Sequence, residues 1–226
     1  MSKQYVIVLL LFVALAATVT MAGCTTGPAN NSTLKPTPAS TTTIKIGNDT
    51  AMFDKTRFHT FEYRIMAVAG NSTSQVGDIK AEYDTASYGG FSNASHMKET
   101  IVEGQGADAA TTVNDLYYNP TTNFLLGGHA SRTNSSGSQE KDIKSSDTDY
   151  WNADMSSISS NVKFTSQGSE QVTVPKGTFA ATKYTSVDSA ISLWMTPSVP
   201  LPVQISGAGN TNGVSYTTIM QLVNYA

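Results

Sequence analysis

The feature that most constrains the fold is an alternation of apolar and polar side chains with a period of two residues. Between residues 58 and 68, Phe61, Tyr63 and Ile65 alternate with charged residues. This period places every second side chain on one face of a β-strand, and it is typical of a sheet with one buried face. A Gly-Asn turn and a second run, Val76 to Tyr83, follow, so the pattern predicts a β-hairpin.

Similar runs recur as far as the C-terminus, separated by turn residues. They predict a mostly β domain of nine or ten antiparallel strands with little helix, extending over residues 44–226. The further predicted strands are Met97–Val102, Thr111–Tyr118, a strand led by Phe124, Gln171–Val174, Thr178–Tyr184, Ile191–Met195, Val203–Ile205 and Ser215–Tyr225.

Two segments depart from this pattern. Residues 134–161 are polar and lack β-branched runs, so a short helix or a lid is plausible there, with Tyr150 and Trp151 as an apolar plug. Pro197, Pro200 and Pro202 interrupt the later strands. Because proline cannot donate a ladder hydrogen bond, these residues predict a sheet edge or a corner.

The N-terminal residues predict an export signal. After Lys3 comes an uncharged, largely apolar run of thirteen residues, Tyr5–Ala17, which is short for a membrane-spanning helix. It leads to Met21-Ala22-Gly23-Cys24. This tetrapeptide resembles a lipobox, which implies that residues 1–23 are a cleaved signal peptide and that Cys24 is linked to a lipid. The alternative is that the apolar run stays uncleaved as a signal anchor.

Cysteine usage agrees with lipidation, because Cys24 is the only cysteine in the 226 residues. A free thiol in an exported protein is reactive, whereas a lipid-linked cysteine is no longer a thiol. Two buried chains, at about 0.8 kcal/mol per methylene, make a stable anchor. In either case the protein is held at the membrane, and no disulfide stabilises the domain.

Residues 24–43 are predicted to form a tether. Twelve of the nineteen residues from Thr25 to Thr43 are Ser, Thr or Pro, and Lys35 is the single charge. Such a composition buries too little apolar surface to offset its ordering entropy, so we expect a solvated, semi-extended stalk. As a flexible coil it would span on the order of 25 Å.

Six Asn-x-Ser/Thr acceptors predict N-glycosylation, and all of them lie in polar, turn-like stretches. A lipobox together with many acceptors favours an archaeal surface protein, since bacteria rarely N-glycosylate and eukaryotes do not use the lipobox. The candidate sites are Asn30, Asn31, Asn48, Asn71, Asn93 and Asn134.

The C-terminal region carries a recurring pattern: Val172-Thr173-Val174-Pro175-Lys176-Gly177-Thr178-Phe179, then Trp194-Met195-Thr196-Pro197, then Leu201-Pro202-Val203. It resembles the lipoprotein-carrier half-barrels, their mycobacterial lipoprotein relatives and several families of unknown function. The resemblance implies a single, strongly curved antiparallel sheet whose concave face could hold a lipid or another apolar ligand. It supplies no catalytic residue.

Ring-bearing residues could line such a ligand face, Tyr150, Trp151 and Trp194 among them. The alternative is that they pack within the sheet and its core, as aromatic residues in β-proteins commonly do.

Motifs for catalysis or metal binding are absent from the sequence. His59, His96 and His129 lie in separate segments without metal-ligand spacing. No nucleophile elbow, phosphate loop or dinucleotide fingerprint is present. Without the signal peptide the chain has 13 Lys and Arg against 17 Asp and Glu, a net charge of −4, which disfavours nucleic acid as a partner. We therefore expect a non-enzymatic protein without metal or cofactor.

Two functions remain open on the sequence. The first is a membrane-anchored extracytoplasmic lipoprotein that binds or carries an apolar or lipid ligand on its curved sheet. The second is a structural or interaction module of the cell envelope, without a small-molecule ligand, that contacts envelope proteins or glycans. A continuous apolar cavity would favour the first. A packed concave face with an exposed aromatic patch would favour the second.

Overall fold

The computed structural model describes residues 43–45, 57–146, 163–186, 191–211 and 214–226. Apart from one 3-10 turn, Gly106–Asp108, all regular elements of these residues are β-strands. The strands are β1 (Thr43–Lys45), β2 (Thr60–Ala69), β3 (Ser72–Tyr88), β4 (Phe91–Glu103), β5 (Ala110–Tyr118), β6 (Leu125–Asn134), β7 (Gly137–Lys144), β8 (Lys163–Val174), β9 (Gly177–Ser186), β10 (Ile191–Met195), β11 (Gln204–Thr211) and β12 (Val214–Tyr225).

All twelve strands belong to one antiparallel sheet, in the order β1-β8-β9-β10-β11-β12-β2-β3-β4-β5-β6-β7. Two meanders, β2–β7 and β8–β12, are joined where the last strand pairs with β2, with Tyr225 opposite Phe61. The sheet is open, with β1 and β7 at its edges. The predicted fold class, a mostly β open and curved sheet, is confirmed, although the predicted count of nine or ten strands was too low.

The strand β7 corrects the prediction of a helix or lid, which is wrong for residues 137–144. This segment pairs with β6 from Asn134 opposite Gly137 to Gly127 opposite Lys144. Only Ile143 among its side chains is buried. An edge strand with both faces largely solvated shows no alternation, so the period of two could not reveal it.

One face of the sheet forms the main core. The alternating residues Phe61, Tyr63 and Ile65 are 3%, 0% and 4% exposed, as the pattern predicted. A sheet without helices can cover its apolar face only by curving on itself or folding connections over it. The main-core residues are Phe58, Phe61, Tyr63, Ile65, Ile79, Ala81, Ile101, Phe164, Val172, Val174, Ala181, Leu193, Trp194, Val199, Leu201, Val203, Ile205, Met220 and Leu222.

Curvature is visible where the β8–β9 turn reaches β12, although three strands lie between β8 and β12 in the sheet. The backbone N–H of Lys176 donates to the carbonyl of Leu222 over 3.0 Å. Its ammonium donates to Asn224 Oδ1 over 2.6 Å and lies 5.1 Å from the centre of the Tyr225 ring. Contacts between such distant strands require the sheet to curl strongly at this end.

The proline-rich segment connects β10 and β11, which are both interior strands, so of the two predicted alternatives, a sheet edge and a corner, the edge is wrong. Val199, Leu201 and Val203 are buried in the main core. The hydroxyl of the fully buried Tyr63 donates to the carbonyl of Pro202 over 2.5 Å. The segment therefore folds inward and covers the end of the core.

Close strand contact at Gly128 supports a stability prediction. A Cβ atom there would lie 2.1 Å from the carbonyl oxygen of Asp115 and 3.0 Å from the Cα of Leu116. Gly128→Ala would thus force β5 and β6 apart, and we expect it to lower the free energy of unfolding by about 1–3 kcal/mol. Denaturant titration measures this loss. Ser131→Ala on the same strand should stay within about 0.5 kcal/mol of the parent, and an equal effect of both would contradict the explanation.

Within the described residues, no helix is long and apolar enough to cross a membrane.

Candidate functional site

The main core occupies the face where the curved sheet was expected to offer a groove. Its nineteen residues are each no more than 7% exposed. Edge-to-face ring contacts join Phe58 to Phe61 and Phe61 to Tyr63, with centroids 6.0 and 5.5 Å apart. Among the described residues, this face is filled by the protein's own side chains.

A row of polar side chains continues the buried face beyond the main core. Glu99 is 1% exposed and accepts a hydrogen bond of 3.0 Å from Nδ2 of Asn114, which is fully buried. Near it, Arg132 Nη2 lies 2.5 Å from Glu103 Oε2. On β4, Glu99 lies between Ile101 of the main core and Met97 of a second apolar cluster, and Tyr83 packs against both clusters. The second cluster comprises Met97, Leu116, Ala130 and Ile143.

This row bears on lipid carriage. An acyl chain laid along β4 from Ile101 to Met97 would cross the carboxylate of Glu99 and the neighbouring amide of Asn114, whereas a path over Tyr83 would avoid them. Apolar contact cannot replace the hydrogen bonds of buried polar groups, so the path over Glu99 is unfavourable.

The opposite, outer face carries an ordered group of polar side chains centred on His96. Its Nδ1 lies 2.5 Å from Asp84 Oδ1, and its Nε2 lies 2.9 Å from Asp115 Oδ1. The imidazole is 15% exposed, while the two carboxylates are 69% and 37% exposed. Both ring nitrogens therefore meet a carboxylate, which holds the ring at a fixed orientation.

Two tyrosines extend this group into a stack. The Tyr117 ring lies parallel to that of His96, with centroids 4.7 Å apart, and parallel to that of Tyr88 at 4.2 Å. Tyr88, the last residue of β3, lies against Gly127, where an added Cβ would meet the Tyr88 hydroxyl at 2.6 Å. We call Asp84, Tyr88, His96, Asp115 and Tyr117 the histidine–tyrosine surface.

Electrostatics at this surface affect Tyr117. Partial burial raises the pKa of its phenol, and a hydrogen bond to Asp115 and the negative charge of that residue raise the pKa further. The phenol therefore stays protonated across the physiological range and remains a hydrogen-bond donor.

Cross-strand pairing extends the outer face towards the sheet edge. Asp115 lies opposite Lys98 on one side and His129 on the other, and His129 lies opposite Asp142. The His129 Nδ1 to Asp142 Oδ1 distance is 3.2 Å. Such alternating charges are also what a solvated sheet face carries for its own stability. The stacked rings distinguish the histidine–tyrosine surface from an ordinary charged face.

Sequence reasoning missed this surface because it treated the histidines as unrelated. The register places Asp84 opposite His96 and His96 opposite Tyr117, although up to 33 positions separate them along the chain. Of these residues only Asp115 and Tyr117 lie on a predicted strand, Thr111–Tyr118. Asp84 and His96 each lie one residue outside the predicted strands Val76–Tyr83 and Met97–Val102, so no local signal joined them. No three His, Cys, Asp or Glu side chains within the described ranges are arranged to hold a metal ion.

The predicted site residues are only partly described. Cys24, Asn30, Asn31, Asn48, Tyr150 and Trp151 lie outside the described residues. Three glycosylation candidates, Asn71, Asn93 and Asn134, are exposed. Asn71 lies in the β2–β3 turn and Asn134 ends β6, where its Oδ1 accepts a hydrogen bond from the Ser136 backbone.

Trp194, proposed above for a ligand face, is 7% exposed and belongs to the main core. Its indole N–H donates to Glu170, and the ammonium of Lys183 lies 4.9 Å from its ring centre. These contacts occupy the ring with the protein's own residues.

A titration checks the electrostatics of the histidine–tyrosine surface. Asp115→Asn removes a negative charge next to Tyr117, so the pKa of this phenol should fall towards its ordinary value while the part due to burial remains. Absorbance of the phenolate at alkaline pH measures the shift, and Tyr117→Phe identifies which transition belongs to Tyr117. An unchanged pKa in Asp115→Asn would show that the carboxylate does not act on the phenol.

Comparison with known proteins identifies no family. No protein-family model and no curated protein matches the chain. Among solved structures, the chain is similar to a DUF1329 family protein from Desulfovibrio piger, with 10% sequence identity over 74% of this chain and 85% of that chain. The TM-score is 0.32, which is too low to support an argument about fold or function.

Proposed function

We propose that this protein is a lipid-anchored, extracytoplasmic interaction module of the cell envelope that acts without catalysis. The observation that carries the proposal is the contrast between the two faces of the sheet. The buried face is filled by nineteen core residues, whereas the outer face displays an ordered histidine–tyrosine surface. Exposed aromatic groups mark interaction sites, and the rings of Tyr88, His96 and Tyr117 are each partly exposed on this face.

The histidine–tyrosine surface suits a polar partner with some apolar area. Tyrosine rings provide large contact area at a low entropy cost, and their hydroxyls supply hydrogen bonds. Because the Asp84 and Asp115 carboxylates hold His96 in place, less ordering is needed when a partner binds. Envelope proteins and glycans offer this chemistry, while nucleic acid would meet a net negative charge.

Anchoring through Cys24 is the second part of the proposal. It is supported by the apolar run, by the small residues that precede Cys24 and by the absence of any other cysteine in the sequence. An anchor with a Thr/Pro/Ser-rich stalk keeps the domain outside the membrane but within a short reach of it. The glycosylation candidates are also consistent with a location outside the cytoplasm.

Lipid carriage is the competing function, and the open, curved sheet is the observation in its favour. Against it stand the filled main core and the buried polar pair Glu99 and Asn114, which an acyl chain lying on β4 and β5 would have to cross. The carriage hypothesis also uses Tyr150 and Trp151, which were predicted as an apolar plug and lie outside the described residues.

Intact-mass spectrometry of the protein extracted from its own membranes tests the lipid anchor and the glycosylation. We expect a mature N-terminus at Cys24 with a lipid adduct, together with hexose-type mass steps from occupied acceptors. A bare polypeptide that still contains residues 1–23 would contradict lipid anchoring and leave the signal-anchor alternative.

A further inference from the structure

His96 is held by two carboxylates on neighbouring strands, one at each ring nitrogen. Its Nδ1 lies 2.5 Å from Asp84 Oδ1 on β3, and its Nε2 lies 2.9 Å from Asp115 Oδ1 on β5. A carboxylate accepts hydrogen bonds and donates none, so both contacts are hydrogen bonds only when both nitrogens carry a proton. Neutral imidazole has one N–H and one bare nitrogen, whereas imidazolium has two N–H groups. The observed geometry therefore fits the protonated ring.

The two carboxylates differ in what else holds them. Asp115 is 37% exposed and also accepts a hydrogen bond from the phenol of Tyr117. Asp84 is 69% exposed, and its carboxylate forms no other hydrogen bond or ion pair with the residues that the structure describes. Glu82, a further carboxylate, is two positions earlier on the same strand. Asp84 is therefore the side chain that the imidazole alone keeps in place.

Charged and titratable groups approach His96 from each strand around it. The ring itself lies on the face of Tyr117, with the two centroids 4.7 Å apart, and the π-system of a phenol ring attracts a cation. Carboxylates on both neighbouring strands thus face a ring that can carry a positive charge. The groups are Glu82, Asp84 and Tyr88 on β3, Lys98 on β4, Asp115 and Tyr117 on β5, His129 on β6 and, one strand further, Lys144 on β7.

We propose that the protonation of His96 controls the form of the histidine–tyrosine surface. The imidazolium ties Asp84 to Asp115 across β4 and so fixes the surface that a partner meets. When the ring gives up one proton to the solvent, it keeps the N–H on Nε2, towards Asp115, and its bare Nδ1 faces Asp84. Two hydrogen-bond acceptors then point at each other, so the Asp84 carboxylate turns into the solvent.

This control deepens the proposed function and rests on it, because a surface outside the cytoplasm meets the pH of the surroundings. Histidine is the side chain that ordinarily titrates between about pH 5 and 8. With the ring protonated, the surface is ordered before a partner arrives. With the ring neutral, the Asp84 carboxylate must be ordered when the partner binds, which weakens binding. The histidine–tyrosine surface is thus a contact that mildly acidic surroundings strengthen.

His129 is a matched control within the same chain. It lies on the same face, opposite Asp115 in the register, and it also lies between two carboxylates. Only its Nδ1 is within hydrogen-bond distance of one, 3.2 Å from Asp142 Oδ1, whereas its Nε2 is 3.9 Å from Glu140 Oε2. A neutral ring can keep that single bond with its proton on Nδ1. His129 should therefore lose a proton without releasing a carboxylate.

The experiment is an NMR titration of the full protein in detergent micelles, with isotope-labelled histidine rings and aspartate carboxyls, from about pH 5 to 9. His96→Gln and His129→Gln assign the ring signals. We expect His96 to show two ring N–H protons at the acid end and, once it titrates, a single proton on Nε2. The carboxyl carbon signal of Asp84 should shift in the same step, severalfold more than the Asp142 signal shifts when His129 titrates.

Asp84→Asn tests the release itself, because an amide can accept from an N–H or donate to a bare ring nitrogen. Its side-chain amide protons should stay protected from exchange on both sides of the His96 titration. The proposal is overturned if His96 keeps one ring proton or two throughout, if its neutral ring carries the proton on Nδ1, or if the Asp84 signal ignores its titration. None of these results bears on the lipid anchor or on cargo, which mass spectrometry tests, so the two failures are distinguishable.

Discussion

Cys24→Ser is expected to move the protein from the membrane fraction to the medium. In the proposed function, the whole attachment of the mature chain depends on this side chain, because the lipid is linked through its sulfur. Serine has no thiol to accept the lipid, so the anchor is lost while the domain sequence is unchanged. Fractionation of cells expressing the variant, followed by immunodetection of membranes and medium, measures the shift.

Thr25→Ala is the matched control for this substitution, since it changes the neighbouring residue and leaves the thiol in place. It should remain in the membrane fraction like the parent protein. If Cys24→Ser also stayed membrane-bound, the apolar run Tyr5–Ala17 would be acting as an uncleaved anchor, and lipidation would be excluded as the attachment.

Tyr63→Ala is expected to lower the free energy of unfolding by about 3–5 kcal/mol, the range for removing a buried aromatic ring. Tyr63 is fully buried, contacts Phe61 edge-to-face and bonds the carbonyl of Pro202. A domain of this kind has about 5–15 kcal/mol of stability, so the loss is a large share of the total. Chemical denaturation followed by fluorescence of the two tryptophans measures it.

Tyr63→Phe separates the hydroxyl from the ring. It should cost about 1–3 kcal/mol, because the buried Pro202 carbonyl loses its donor. Burial raises the pKa of Tyr63 well above 10.0, so the unfolded phenol ionises before the folded one. Stability should therefore fall as pH rises above about 10, and less steeply in Tyr63→Phe. A loss below about 1 kcal/mol in Tyr63→Ala would mean that this ring does not hold the proline-rich segment.

Local pattern predicted the strands that bury one face. The alternation of Phe61, Tyr63 and Ile65 appears as buried positions on β2, and the hairpin that follows is present. The edge strand β7 was missed because solvated faces carry no alternation. Its single buried residue, Ile143, is too little to show a period.

The pairing of strands distant in sequence was beyond the reach of local pattern. Nothing in residues 60–69 indicates that β12 pairs beside them, since register depends on the packing of the whole face. The histidine–tyrosine surface depends on the same register, because His96 meets Asp115 and Tyr117 only across β4 and β5. Of the two alternatives predicted for the prolines, an edge and a corner, the edge is wrong, because Pro200 and Pro202 are buried in a connection between two interior strands.

In the proposed function, the curved sheet holds its own side chains and no cargo. Native mass spectrometry of the full protein, released gently from its host membranes, tests this. We expect one mass series that corresponds to polypeptide, covalent lipid and glycans, unchanged as collision energy rises. A reproducible additional lipid that dissociates on activation, in a fixed ratio to protein, would contradict it and establish carriage.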